Sequence, residues 1–132
     1  MSEPGQAPAF VRAMGLTTTE VSGTRVTGTA ELGPEHHTPW GVVHGGVYCA
    51  IVETAASVGA STAVKDAGQF SVGVNNSTDF VRSMTAGRVD VVAEPVQQGR
   101  TQQLWQVTLT REDGKLVAQG RVRLQNIPLP GA

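Results

Sequence analysis

The sequence has room for one long helix, and that limits everything else. From Gly45 to Val64 no proline intervenes, and Val47, Ile51, Ala55 and Val58 fall close to helical spacing. The run is crowded with small residues: Ala50, Ala55, Ala56, Ser57, Gly59, Ala60 and Ser61. Small side chains weaken amphipathicity but let neighbouring backbone come close, so the pattern predicts a helix enclosed by other elements. The flanking chain reads as strand. Residues 16–21 and 24–32 are rich in Thr and Val, with a turn at Ser22-Gly23, and Gly33-Pro34 ends the pair. Residues 36–43 are expected to form a loop, because Pro39 and Gly41 break any regular pattern. After Gly68, residues 70–81, 87–95, 101–111 and 115–125 are strand-like, and Asp113-Gly114 is a hairpin signal. Trp105, Val107 and Leu109 alternate with Leu104, Gln106 and Thr108, which turns the Trp105 side towards the core. The expected class is α+β: an antiparallel sheet wrapped on one central helix, with no βαβ unit.

Composition narrows the function classes. The 132 residues suit one domain, 1–132, with residues 1–9 expected to be flexible because they are rich in Ser, Pro, Gly and Gln. Apolar residues make up 39% and charged residues 16%, a globular balance. A net charge of -1 supplies no basic field for nucleic acid or an anionic membrane, so neither is expected as a partner. Cys49 is the only cysteine, so no internal disulfide can form. The first residues lack a basic region followed by an apolar run, and the helical stretch carries Glu53 among many small residues. The expected localisation is cytoplasmic.

Chemistry concentrates in one segment, Trp40-Gly-Val-Val-His-Gly-Gly-Val-Tyr-Cys-Ala-Ile-Val-Glu53. Gly45 and Gly46 open the helix, where backbone N–H groups lack partners and the helix dipole is positive. Such a terminus can stabilise an oxyanion. Glu53 lies about two turns further on, in an otherwise apolar helix, where a lone carboxylate costs several kcal/mol unless it is solvated, paired or protonated. Ser57 at i+4 and Cys49 at i−4 share its stripe. A carboxylate and an oxyanion donor are what ester or thioester hydrolysis requires. The residue types alone equally allow a Glu on a wet helix face and glycines that serve packing. Ser57 and Cys49 read more simply as packing, and no base stands at a suitable spacing to activate Cys49. His36, His37 and His44 with Glu35 match no compact zinc spacing, so no metal is expected.

The stretch Gly41-Val-Val-His44-Gly45-Gly46, with Glu53 nine residues after His44, resembles the hotdog-fold acyl-CoA thioesterases of the phenylacetate-pathway and 4-hydroxybenzoyl-CoA type. The likeness runs on through Val74-Asn75-Asn76-Ser77-Thr78-Asp79-Phe80 to Gly99-Arg100-Thr101 and Trp105. It implies a curved sheet around a central helix, assembled as a homodimer or homotetramer, and hydrolysis of an acyl- or aroyl-coenzyme A to free acid and coenzyme A. It implies no cofactor, because coenzyme A is part of the substrate. It makes Glu53 nucleophile or general base, Gly45 the oxyanion donor, with Gly46 beside it, and His44 an orienting group. Ser57 would position water or the carboxylate, and Ser71 would face the site from the second subunit. Arg82, Gly99, Arg100 and Thr101 would contact pantetheine and phosphates. Thr38 stands where relatives commonly carry Gln or Asn, a departure that shortens the side chain available to polarise the substrate. A non-catalytic acyl-CoA-binding dimer and a hotdog hydratase or dehydratase are the alternatives, although the usual His-Phe-Pro-Gly and Asp-x-Asn-x-x-His patterns of the latter are missing.

Overall fold

The structure, a computed structural model, describes residues 7–131. The first six of the residues expected to be flexible therefore lie outside it. Ala9, by contrast, opens a short helix, α1 (Ala9–Ala13), that no sequence signal had marked. Strands β1 (Leu16–Val21) and β2 (Val26–Leu32) follow, then a single 3-10 turn at Pro34–His36. Helix α2 runs Gly45–Val64 as the spacing predicts. Strands β3 (Gln69–Phe80), β4 (Gly87–Gln98), β5 (Gln102–Arg111) and β6 (Leu116–Pro128) complete the chain. All six strands join one antiparallel sheet in the order β1-β2-β4-β5-β6-β3, which is the hotdog arrangement.

Turn chemistry fixes the connections. Ser22 Oγ accepts the N–H groups of Thr24 and Arg25, closing the first hairpin. Gly114 takes φ +81°, and Arg111 N–H and Lys115 O close the β5–β6 hairpin at 2.9 Å. The Arg111 guanidinium and the Lys115 N–H hold the Asp113 carboxyl below the usual carboxylate range.

The sheet covers one side of α2. Ile51, Val52, Ala55, Ala56 and Ala60 are fully buried against Val26, Val89, Val91, Trp105, Val107, Leu109, Val122 and Leu124. By length and composition α2 would pass for a membrane span, but its apolar face is the core-facing face of this sheet. The opposite face, with Val47, Ala50, Thr54, Ser57, Val58 and Ser61, remains only half-buried. At Gly59 the helix meets Trp105 so closely that a Cβ would stand 2.4 Å from Cη2 and 2.6 Å from Cζ3. Gly59→Ala should therefore destabilise the fold through overpacking, by about 1–3 kcal/mol. Denaturant unfolding of the variant against the parent protein checks this.

Candidate active site

The start of α2 is organised by His44. Its backbone is extended (φ −67°, ψ 132°), and its Nδ1 accepts the Gly46 N–H at 2.8 Å. Val47 N–H turns back to His44 O at 3.0 Å. Among the described residues, Gly45 N–H finds no acceptor, so it is the open donor of the first turn. With Nδ1 accepting, the neutral ring carries its proton on Nε2, on an exposed side chain. The segment is pinned from behind: His44 N–H donates to His36 O at 2.8 Å, and Val43 N–H to Met84 O at 2.9 Å. His36 donates from Nε2 to Ala13 O and accepts Gly33 N–H at Nδ1, while His37 Nε2 donates to Thr85 O.

The lack of side chains at both glycines is structural as well. A Cβ on Gly46 would lie 2.9 Å from His44 Nδ1, and one on Gly45 would lie 2.4 Å from Phe80 Cε2. Phe80 also packs on Tyr48, with centroids 5.9 Å apart. Gly45, Tyr48, Phe80 and Arg82 border a recess of about 210 Å³. Among the described residues the Tyr48 hydroxyl is buried without a hydrogen-bond partner, and burial pushes its ionisation up.

Glu53 is half-buried and hydrogen-bonded. Asn76 Nδ2 donates to Glu53 Oε1 at 3.2 Å and to Cys49 O at 3.1 Å, and Thr78 Oγ1 donates to Asn76 Oδ1 at 2.6 Å. The other carboxylate oxygen lies over Gly73, where a Cβ would stand 2.3 Å from Oε2. Ser57, one turn on, makes no hydrogen bond to Glu53 among the described residues. Instead it borders a mostly apolar recess of about 560 Å³, together with Val58, Phe70, Ser71 and Leu129. Ser71 reaches the same recess, but its hydroxyl donates to the buried Asn126 Oδ1 at 2.9 Å.

The remaining expected residues are spread along α2. Arg82 lies at the Gly45 end, where its guanidinium donates to Leu116 O at 2.9 Å. Gly99, Arg100 and Thr101 form the β4–β5 turn, gripped by Asn126, whose Nδ2 donates to Gly99 O and Arg100 O and whose N–H donates to Thr101 O. The turn belongs to the far end of the helix, because Gln103 next to it donates to Ala60 O at 2.9 Å. Thr38 is half-buried in its loop and accepts Trp40 N–H at its hydroxyl. Within one chain the two arginines therefore mark opposite ends of α2. Gly45 and Glu53 are separated by eight residues, about 12 Å of helix rise.

Residues 41–118 match the thioesterase superfamily. The chain belongs to that family. A solved Mycobacterium tuberculosis structure named for an esterase is 44% identical, covers 92% of this chain and 98% of its own, and superposes with a TM-score of 0.88. A Haemophilus influenzae thioesterase structure is 28% identical, with coverage of 94% and 86% and a TM-score of 0.86. The proofreading thioesterase EntH of Cronobacter sakazakii is 29% identical over 113 residues, 86% of this chain and 82% of that protein. Thioester hydrolysis is the chemistry of the family, and this chain is a thioesterase.

Asn76 and Thr78 lie in a stretch that carries the family resemblance, but no sequence signal gives them a role, and none marks Gly73. The cause is a bulge. Gly73 pairs with Leu124 and Asn75 with Arg123, which leaves Val74 as an extra residue. Simple alternation from Ser71 and Gly73 would turn Asn75 and Ser77 to the helix, whereas the bulge turns Asn76, Thr78 and Phe80 there instead.

The orphaned phenol yields a prediction. Tyr48→Phe removes a buried unpaired donor and keeps the ring contact with Phe80. Thermal unfolding should show a melting temperature equal to or above that of the parent protein.

Proposed function

We propose that this thioesterase hydrolyses an acyl- or aroyl-coenzyme A, with Glu53 as the reacting carboxylate and Gly45 N–H as the oxyanion donor. The observation that carries the reading is a half-buried carboxylate held by Asn76 in the same helix that opens on an unpartnered N–H. Glu53 either adds to the thioester carbonyl, expelling the thiolate and leaving an anhydride that water opens, or takes a proton from a water that adds directly. In both routes the carbonyl oxygen gains negative charge, which a helix N-terminal N–H stabilises. The exposed His44 Nε2–H is a second donor for the thioester end. Val58, Phe70 and Leu129 around Ser57 and Ser71 supply apolar surface for the acyl group. Arg100, with Gly99 and Thr101 in its turn, and Arg82 are the groups for the phosphates, because Arg makes charge-assisted forked bonds to them. Thr38 stands near the loop that leads into His44, and its hydroxyl is the shorter counterpart of a carboxamide.

About 12 Å of rise separates Gly45 and Glu53 on one helix, which favours different subunits supplying them to one carbonyl. The reading therefore pairs Gly45 of one subunit with Glu53 of another. The pairing is reciprocal, and the midpoint between the two positions is Cys49, so the helices run antiparallel about a two-fold axis near that residue. The half-buried face of α2 and the long outer edge of β3, where Val74 is 54% exposed, are the surfaces that such a dimer covers.

Three measurements test this. Glu53→Gln keeps the shape of the side chain and removes its charge. Its kcat should fall by roughly 10²–10⁴-fold in a folded protein, and retention of most of the kcat excludes the role. Gly45→Pro removes the oxyanion N–H at a position where proline is tolerated, since His44 is already extended and Phe80, half exposed, can swing aside. Mixing the inactive Glu53→Gln and Gly45→Pro chains should restore activity, because each mixed dimer rebuilds one intact site. Absence of restoration in verified mixed dimers overturns the pairing of Gly45 with Glu53 across subunits. Arg100→Ala should raise KM for an acyl-coenzyme A and leave KM for the matching acyl-pantetheine unchanged. Equal loss on both substrates makes Arg100 structural.

A further inference from the structure

Glu53 carries two unlike oxygens. Oε1 accepts from Asn76, whereas Oε2 faces the Gly73 backbone with no donor among the described residues. Asn76 is the only side chain that donates to the carboxylate among those residues, and a carboxamide can present either end to it. Presented as NH₂ it attracts the carboxylate, and presented as C=O it repels it. Asn76 Oδ1 is fixed because Thr78 Oγ1 donates to it at 2.6 Å. The Thr78 hydroxyl has room for this because its partner across the β3–β6 pair is Gly120, where a Cβ would stand 2.3 Å from Oγ1. Asn76 has a second anchor in Cys49 O, on the turn of α2 that precedes Glu53.

We infer that Thr78 and Asn76 are positioning residues for the reaction. Cys49 O and Glu53 Oε1, which only accept, set the NH₂ end of Asn76, Thr78 anchors the opposite end by donating to Oδ1, and Asn76 so anchored holds Glu53 Oε1 so that Oε2 is the atom that reacts. This rests on the reading of Glu53 as the reacting carboxylate. Neither residue needs to touch substrate. Thr78 acts only through Asn76, so the two effects are coupled in series. The bulge at Val74 serves the same end, since it brings both side chains to the helix face next to Gly73, where the backbone leaves room for Oε2.

A double-mutant cycle tests the inference with an acyl-coenzyme A substrate. Thr78→Val keeps the shape and removes the donor, and Asn76→Leu removes the amide. Each should lower kcat about tenfold, the effect of roughly one lost hydrogen bond in the transition state, with KM within about twofold. Thr78→Ser, which keeps the hydroxyl, should restore the parent kcat. The Asn76→Leu/Thr78→Val double variant should be no slower than Asn76→Leu alone. In the Glu53→Gln background, Thr78→Val should leave the residual rate unchanged. Additive losses, unchanged kcat in Thr78→Val, failure of Thr78→Ser to rescue, or a loss expressed in KM each overturn the series coupling. A Glu53→Gln protein that keeps its activity overturns instead the role of Glu53, so the two failures are distinct. If Asn76→Leu does not fold, Asn76→Ser is substituted, and the Thr78 pair still decides the matter, because Thr78→Val and Thr78→Ser differ by one hydroxyl.

Discussion

The close approach of one helix to one sheet sets the geometry on which every other feature depends. A hotdog chain has a single layer of sheet and a single long helix, so its core is only as deep as the gap between them. Gly59 against Trp105, Gly73 against Glu53 and Gly45 against Phe80 are all contacts in which an added methyl group would overlap a neighbour. The small residues of α2 follow from this. They let the helix lie flat on the strands, so the aromatic and carboxylate side chains reach across the interface without voids. The same closeness makes the carboxylate tolerable. Glu53 sits at the border of the core, where one oxygen meets a carboxamide and the other an uncovered backbone, so its charge is neither deeply buried nor adrift in solvent.

A polar cluster at the other end of α2 supports the arrangement. The buried Gln103 donates to Ala60 O and to Asn126 Oδ1, and its Oε1 accepts from Trp105 Nε1 and Gln98 Nε2. Asn126 accepts from Ser71 and grips the β4–β5 turn. Four strands and the helix are thereby joined by side-chain amides whose donors and acceptors are largely used. The turn that carries Arg100 consequently has a backbone set by the core, while its guanidinium remains outside.

Much of this was legible in the sequence. The bounds of α2 and of β1, the Asp113-Gly114 hairpin and the inward side of Trp105 follow from periodicity and turn chemistry, because each is decided by neighbours close in sequence. The Gly-Gly start with Glu53 beyond it was legible for the same reason. What escaped depends on long-range register. Asn76 and Thr78 face the helix only because Val74 is an extra residue in β3, and no local pattern announces a bulge between two valines and an asparagine pair. Gln103 and Asn126 drew no expectation from the sequence, yet they are buried, since their partners come from α2 and from distant strands. Helix α1 escaped because five residues without a buried side chain leave no amphipathic pattern.

The division of the proposed site between chains has an energetic consequence. The residues that carry the donor and the carboxylate are eight apart on one helix, about 12 Å of rise. Packing of α2 against the sheet holds that spacing, and the proposed site therefore takes its two groups from different subunits. Orientation of reacting groups accounts for a large part of a catalysed barrier, and in the proposed dimer it is supplied by the contact between two copies of the chain. The surfaces proposed for this contact are the half-buried face of α2 and the open edge of β3, which are also the surfaces a lone subunit leaves imperfectly covered. In that proposed dimer, covering them and assembling the site are one event, so dilution would weaken the fold and extinguish the chemistry together.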